Sequence, residues 1–309
     1  MPKIIKIIFF NFIVLIFALS LIIFLDIKIG EKMNLNYAGY NYKGYRGYIK
    51  EQKKKNYQRI VTLGGSTTFG YGTTFKESWP YQLEESLKKN NFKYDVVNLG
   101  IQSNRIKGIY LDLLHYDYLN YDLAIIYSGY NDCFYKGKID YLSRHDNFFF
   151  RNFNYLPIIQ IYIVEKLVLT LNLNLEDYYL NKKKKTNYLM CNDPNIKKIT
   201  NEEIDKFTGQ IDKNYISYYE KVIDLLNSKK KKIIVMHQPL YGGELQQIQK
   251  MRLIESLKKY NSIIQIDMEE YIKTNNKNLF LDDMHLTKQG NSIIAQKIYT
   301  LLIDKIIMQ

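Results

Sequence analysis

Cysteine is almost absent: Cys133 and Cys191 are the only two among 309 residues. That excludes a disulfide framework and a four-cysteine metal site, and leaves open a single bridge between the pair. Histidine is nearly as scarce, and His115, His145, His237 and His285 stand too far apart in the chain to suggest a metal centre. The glycine turn Gly64-Gly65 lacks the Gly-Lys-Ser/Thr that a phosphate-binding loop needs after it. No internal repeat is evident. Acidic residues are outnumbered, 31 against 44 basic ones, for a formal charge of +13. Such an excess brings nucleic acid to mind. The lysines, however, fall in separate runs, Lys53–Lys55, Lys182–Lys185 and Lys229–Lys232, within a chain rich in Asn, Ile, Lys and Tyr throughout. The charge therefore reads as compositional bias, a solvated face or an attraction to anionic lipid headgroups, and no nucleic-acid partner is expected.

What is present begins at the N-terminus. From Ile7 to Leu25 the chain is uncharged, with Asn11 and Ser20 its only strongly polar positions. Nineteen residues at helical rise nearly span a bilayer core. The small-x-small site of a cleaved signal peptide is missing before the flank Leu25-Asp26-Ile27-Lys28. Residues 1–28 are expected to be an uncleaved transmembrane anchor. Lys3 and Lys6 on the short side favour a cytoplasmic N-terminus and an external body, a bias weakened by Lys43, Arg46, Lys50 and Lys53–Lys55 downstream. Residues 29–57, polar and tyrosine-rich without clear period, read as a linker, and 58–309 as one α/β domain.

Inside that domain, short apolar runs end at turn residues and alternate with helical stretches. Arg59–Leu63 stops at Gly64-Gly65, and Trp79–Lys89 then carries Trp79, Leu83 and Leu87 on one helical face. Asp95–Leu99, Leu123–Tyr127, Lys232–Met236 and Ser262–Ile266 repeat the pattern, which indicates about five parallel strands buried on both faces. The tail from Lys288 to Ile307 reads as a closing amphipathic helix. Between about residues 133 and 200 the alternation fails, and an aromatic, apolar insertion is expected there: a lid, a membrane-facing surface or a packed element.

Three segments carry chemistry: Gly64-Gly65-Ser66-Thr67, Gly129-Tyr130-Asn131-Asp132 and Asp282-Asp283-Met284-His285. A serine hydroxyl in a glycine turn is inert near neutral pH until a base takes its proton, and His285 is the candidate base. Asp282, three residues earlier, is placed to receive the other ring N–H and fix the tautomer, a role for which Asp283 competes. Asn131 offers a side-chain amide to an oxyanion, with turn capping as its alternative role; Asp132 is assigned a structural one. His237, at a strand end, is a possible substrate contact. His115 and His145 are read as ordinary helix and insertion residues. Cys133 has no neighbour in sequence that would activate a thiol.

In order and spacing these segments, with Asn98-Leu99-Gly100, resemble the SGNH or GDSL-type hydrolases over about residues 58–305. The resemblance implies a flavodoxin-like three-layer α/β/α sandwich with about five parallel strands, attached here to the N-terminal helix. It implies Ser66 as nucleophile, His285 as general base and then acid, Asp282 as orienter, and an oxyanion hole from the Ser66 and Gly100 backbone N–H groups with Asn131. The expected activity is a serine esterase acting on an acyl or acetyl ester of a carbohydrate or lipid, with O-acyl transfer or non-catalytic glycan or lipid binding as alternatives. Neither a cofactor nor a metal is implied, and no obligate protein partner. Gly65 stands where the eponymous motif has aspartate. The rival α/β-hydrolase elbow needs glycine at position 68, where this chain has Thr68.

Overall fold

Runs such as Leu-Ala-Ile-Ile-Tyr present apolar side chains on both sides of an extended chain, so a sheet built from them requires cover on both faces. The computed structural model describes all residues except 1–2, 33–38, 51, 137–143, 172–188, 191–199, 241–242, 273–275, 277, 283 and 308–309. Its strands are β1 (Gln58–Gly64), β2 (Tyr94–Asn98), β3 (Leu123–Tyr127), β4 (Phe134–Lys136), β5 (Leu189–Met190), β6 (Lys232–His237) and β7 (Ile263–Asp267). Five of them form one sheet in the order β2-β1-β3-β6-β7, every neighbouring pair parallel. The short β4 and β5 pair antiparallel, away from it.

The helices are α1 (Lys3–Lys32), α2 (Ser66–Phe69), α3 (Trp79–Lys89), α4 (Ile106–His115), α5 (Phe148–Phe153), α6 (Ile159–Thr170), α7 (Asn201–Ile211), α8 (Ser217–Ser228), α9 (Glu244–Leu257) and α10 (Lys288–Leu302). Alternate strand residues serve opposite layers. Val61, Val97, Ala124, Ile126, Ile233 and Val235 share a core with α4, α7, α8 and α9. Ile60, Val96, Ile125, Ile234, Met236 and Ile266 share the other with α3 and α10. The expected three-layer α/β/α sandwich is thus the observed one.

Two buried polar devices fix the layers. Arg59 on β1 reaches Asp95 on β2 at 2.9 Å and the Leu119 carbonyl at 2.9 Å, satisfying a guanidinium that would otherwise be too costly to bury. Asn291 on α10 accepts the Trp79 backbone N–H at 3.2 Å, locking the start of α3 to the closing helix.

From Gly39 onward the segment read as a linker differs from that expectation, because it lies on the body. Tyr45 is buried with its ring edge-on to Tyr116. Arg46 donates from its backbone N–H to the Asn98 carbonyl (3.0 Å), and its guanidinium holds the carbonyls of Phe69, Gly70 (2.7 Å) and Thr73 (2.6 Å) in the turn after α2. Tyrosine rings and an arginine stem supply the buried surface while their polar ends find backbone partners, which leaves no hydrophobic period to read.

The helix α1 is long and apolar enough to cross a membrane, and its apolar side chains face outward. Near its end Asp26 is buried, accepting the Tyr155 hydroxyl at 2.5 Å and the backbone N–H groups of Ile158 (3.1 Å) and Ile159 (2.5 Å) at the start of α6. Of the insertion, α5 and α6 are described, while Lys182–Lys185 and Cys191 lie outside the described residues. Cys133 is disulfide-bonded.

Ile125, fully buried in the central strand, tests this core. Ile125→Ala is expected to cost about 2–5 kcal/mol of unfolding free energy, read from urea denaturation, whereas a surface residue would cost under about 0.5.

Candidate active site

In an open parallel sheet of this order, ligands bind beyond the strand C-termini where the winding reverses, here between β1 and β3. Ser66 follows β1 after Gly65, as the first residue of α2, and Asn131 follows β3. Two glycines allow the turn. A Cβ on Gly64 would lie 2.1 Å from the Tyr127 carbonyl oxygen, and one on Gly65 2.2 Å from Asn131 Nδ2. Gly65 therefore lets the amide of Asn131 rest directly beside the turn that carries Ser66.

Ser66 Oγ is 2.8 Å from His285 Nε2, and His285 Nδ1 is 2.6 Å from Asp282 Oδ2. The other carboxylate oxygen of Asp282 accepts the backbone N–H groups of Met284 (2.9 Å) and His285 (2.7 Å). Partial burial works against charge on Asp282, but the bond to His285, its attraction and the two N–H groups prevail and bring its pKa down to about 2. The carboxylate is thus ionised throughout the neutral range. The ring of Tyr71 packs on the imidazole with centroids 4.5 Å apart. His285 is held by a tight turn in which Leu281 N–H donates to the His285 carbonyl (2.7 Å) and Thr287 N–H to that of Leu279 (3.0 Å), before Thr287 caps α10.

Asn131 donates from Nδ2 to the Asn104 carbonyl at 3.0 Å. Asn104 in turn donates to Asp112, which also binds Arg144 (2.7 Å) and His145 (2.7 Å). Burial opposes the charge on Asp112, yet Arg144 and His145 hold its carboxyl below the ordinary carboxylate value. Asp132 accepts the Ile106 backbone N–H at 3.1 Å, so both residues after Tyr130 fasten the α4 approach to the end of β3.

Gly100 differs from expectation. Its N–H donates to Asn98 Oδ1 at 3.0 Å, while Asn98 Nδ2 donates to the Thr68 carbonyl. His237 is not brought to the Ser66–His285 pair: buried at the end of β6, it bonds Gln265 through Nε2 at 2.9 Å. Beside it Gln238 accepts the Tyr130 N–H (2.7 Å) and donates to Thr67 (3.0 Å). His115 bonds Asn154, and Asp283 lies outside the described residues.

The sequence model of the GDSL-like Lipase/Acylhydrolase family matches residues 62–293, which include all of this geometry. The chain belongs to that family. Ester-acting hydrolysis is accordingly the activity class of this GDSL-like chain. Solved structures similar to it include an acetyl xylan esterase, AlAXEase (17% identity, 79% of this chain and 99% of that one, TM-score 0.47). The esterase EstA from Pseudoalteromonas sp. matches at 14% identity (82% and 100%, TM-score 0.44). A lipase/acylhydrolase from Enterococcus faecalis matches at 13% (79% and 95%, TM-score 0.47). Likenesses this distant say nothing of substrate. No curated protein matches the chain in sequence.

Sequence reasoning missed Asn104, Asp112, Arg144, Gln238 and Tyr71. Gly108 and Asp112 share one face of α4, and Asn104, just before the helix, folds over that face: a Cβ on Gly108 would lie 1.9 Å from Asn104 Oδ1.

Asp132 supplies a pH test. Burial first, against the opposing Ile106 N–H and Arg105, pushes its pKa up to about 7 from 3.8. A carboxyl whose folded pKa is raised stabilises the fold below the unfolded value, and that stability is lost as pH rises through the folded one. Asp132→Asn is expected to flatten the fall in Tm between about pH 4 and 7, measured by calorimetry; an unchanged profile would contradict the assignment.

Proposed function

We propose that this chain is a membrane-anchored serine esterase that hydrolyses an acyl or acetyl ester of a carbohydrate or lipid through an acyl-enzyme on Ser66. The observation that carries the reading is the unbroken hydrogen-bonded line Ser66–His285–Asp282 at 2.8 and 2.6 Å. As Ser66 Oγ attacks the ester carbonyl carbon, His285 Nε2 takes its proton, and Asp282 steadies the imidazolium through Nδ1–H. The oxyanion meets the Ser66 N–H, which as the first of α2 has no partner within that helix, and the amide of Asn131. The Gly100 N–H joins them only by sharing itself with Asn98. Collapse expels the alcohol with the proton from Nε2, and water, activated by the same base, hydrolyses the acyl-enzyme.

Support for the anchor comes from Asp26. Cleavage of α1 would remove the acceptor for Tyr155 and for the first N–H groups of α6, so this helix is part of the fold. Lys3 and Lys6 on its short side favour an external body, as does a disulfide at Cys133, since disulfides persist in oxidising compartments.

In detergent-solubilised full chain assayed with p-nitrophenyl acetate, Ser66→Ala is expected to lose at least about 10³-fold in kcat; undiminished turnover would end the proposal. Asn131→Ala should lower kcat by about 10²–10³-fold with KM little changed, and an unaltered kcat would remove it from the oxyanion site.

A further inference from the structure

The uncharged run of α1 ends at Leu25, and Asp26 is the first acidic side chain after it. A hydrocarbon core takes about 20 helical residues to cross, so Asp26 marks the level at which lipid tails give way to headgroups. Whatever touches Asp26 sits at that level too.

Tyr155 touches it, through the 2.5 Å hydroxyl bond. Phe149 lies edge-on to Tyr155 at 6.4 Å, Phe148 is 5.7 Å from Phe149, and Phe153 is 6.1 Å from Phe148, ring centroid to ring centroid. These three phenylalanines are 59%, 40% and 65% exposed, in the order Phe148, Phe149, Phe153. From the same carboxylate α6 departs, showing Ile163 and Leu167, with Leu171 just past its end, at four-residue intervals, 48%, 54% and 63% exposed. Single exposed apolar residues are ordinary, but a clustered set next to a membrane-level residue is not. Arg151, exposed on α5 among these phenylalanines, adds a cation suited to anionic headgroups.

We propose that α5 and α6 form a bilayer-docking face, seated on the same membrane that α1 crosses. Phe148, Phe149 and Phe153 lie among headgroups and upper acyl chains, as interfacial aromatics do, and α6 lies along the surface with its aliphatic stripe in lipid. The catalytic body is held against the membrane at two places rather than swinging on a tether. The inference rests on the reading of α1 as an anchor and is independent of the esterase chemistry.

The test uses the full chain reconstituted in phosphatidylcholine/phosphatidylglycerol vesicles. Phe153→Trp and Leu167→Trp proteins are compared with Met251→Trp, a position exposed on α9, against the constant background of the buried native Trp79. With acyl-chain-brominated lipids, the first two should lose about half or more of their added emission and the third almost none. Equal quenching of all three, or quenching of none, in vesicles that retain the chain through a carbonate wash would overturn the proposal. Blue-shifted but unquenched emission together with a doubled mass in detergent would also overturn it, in favour of a second copy covering the face. Release of the chain by carbonate would remove the anchor on which the docking depends.

Discussion

A single hydrogen bond, 2.8 Å between Ser66 Oγ and His285 Nε2, joins residues 219 positions apart, and the architecture is arranged so that it forms. The serine is delivered by β1, second in a sheet whose strands are buried on both sides. The histidine is delivered by the turn before α10, a helix that packs on α3 and is pinned to it by Asn291. Without the α3–α10 layer the imidazole would have no fixed height above the strand ends. The sandwich thus sets the distance, and Asp282 and Tyr71 set the orientation of the ring.

Close backbone approach is the second constraint. The turn between β1 and α2 passes so near Tyr127 and Asn131 that positions 64 and 65 admit no side chain without displacement. At residue 65 the space a side chain would need is taken by the Asn131 amide, which suits glycine there. The same amide is held from behind by Asn104, Asp112 and Arg144, so a side chain from the insertion helps to position a group beside Ser66.

Much of this was legible in the chain. The five parallel strands, the helix Trp79–Lys89 and the closing helix announce themselves because apolar periodicity is a local property. Ser66, Asn131, Asp282 and His285 were readable because each stands in a short segment of fixed spacing. The packing of residues 39–50 was not, since Tyr45 gains its burial against the distant ring of Tyr116 and Arg46 from distant backbone carbonyls. Nor was the Gly100 bond to Asn98, the company His237 keeps with Gln265, or the seat of Asp26 on α6, because each depends on which elements meet in space. The insertion was read as aromatic and apolar, and the structure adds that its exposed phenylalanines connect through Tyr155 to Asp26 of α1.

Activation of Ser66 by His285 is open to covalent labelling. The full chain is treated with a fluorophosphonate and the adduct mapped by peptide mass spectrometry. One modified residue, Ser66, is expected, with loss of that adduct in His285→Ala protein that remains folded. An unlabelled Ser66, or labelling that persists at the same rate without the imidazole, would contradict it.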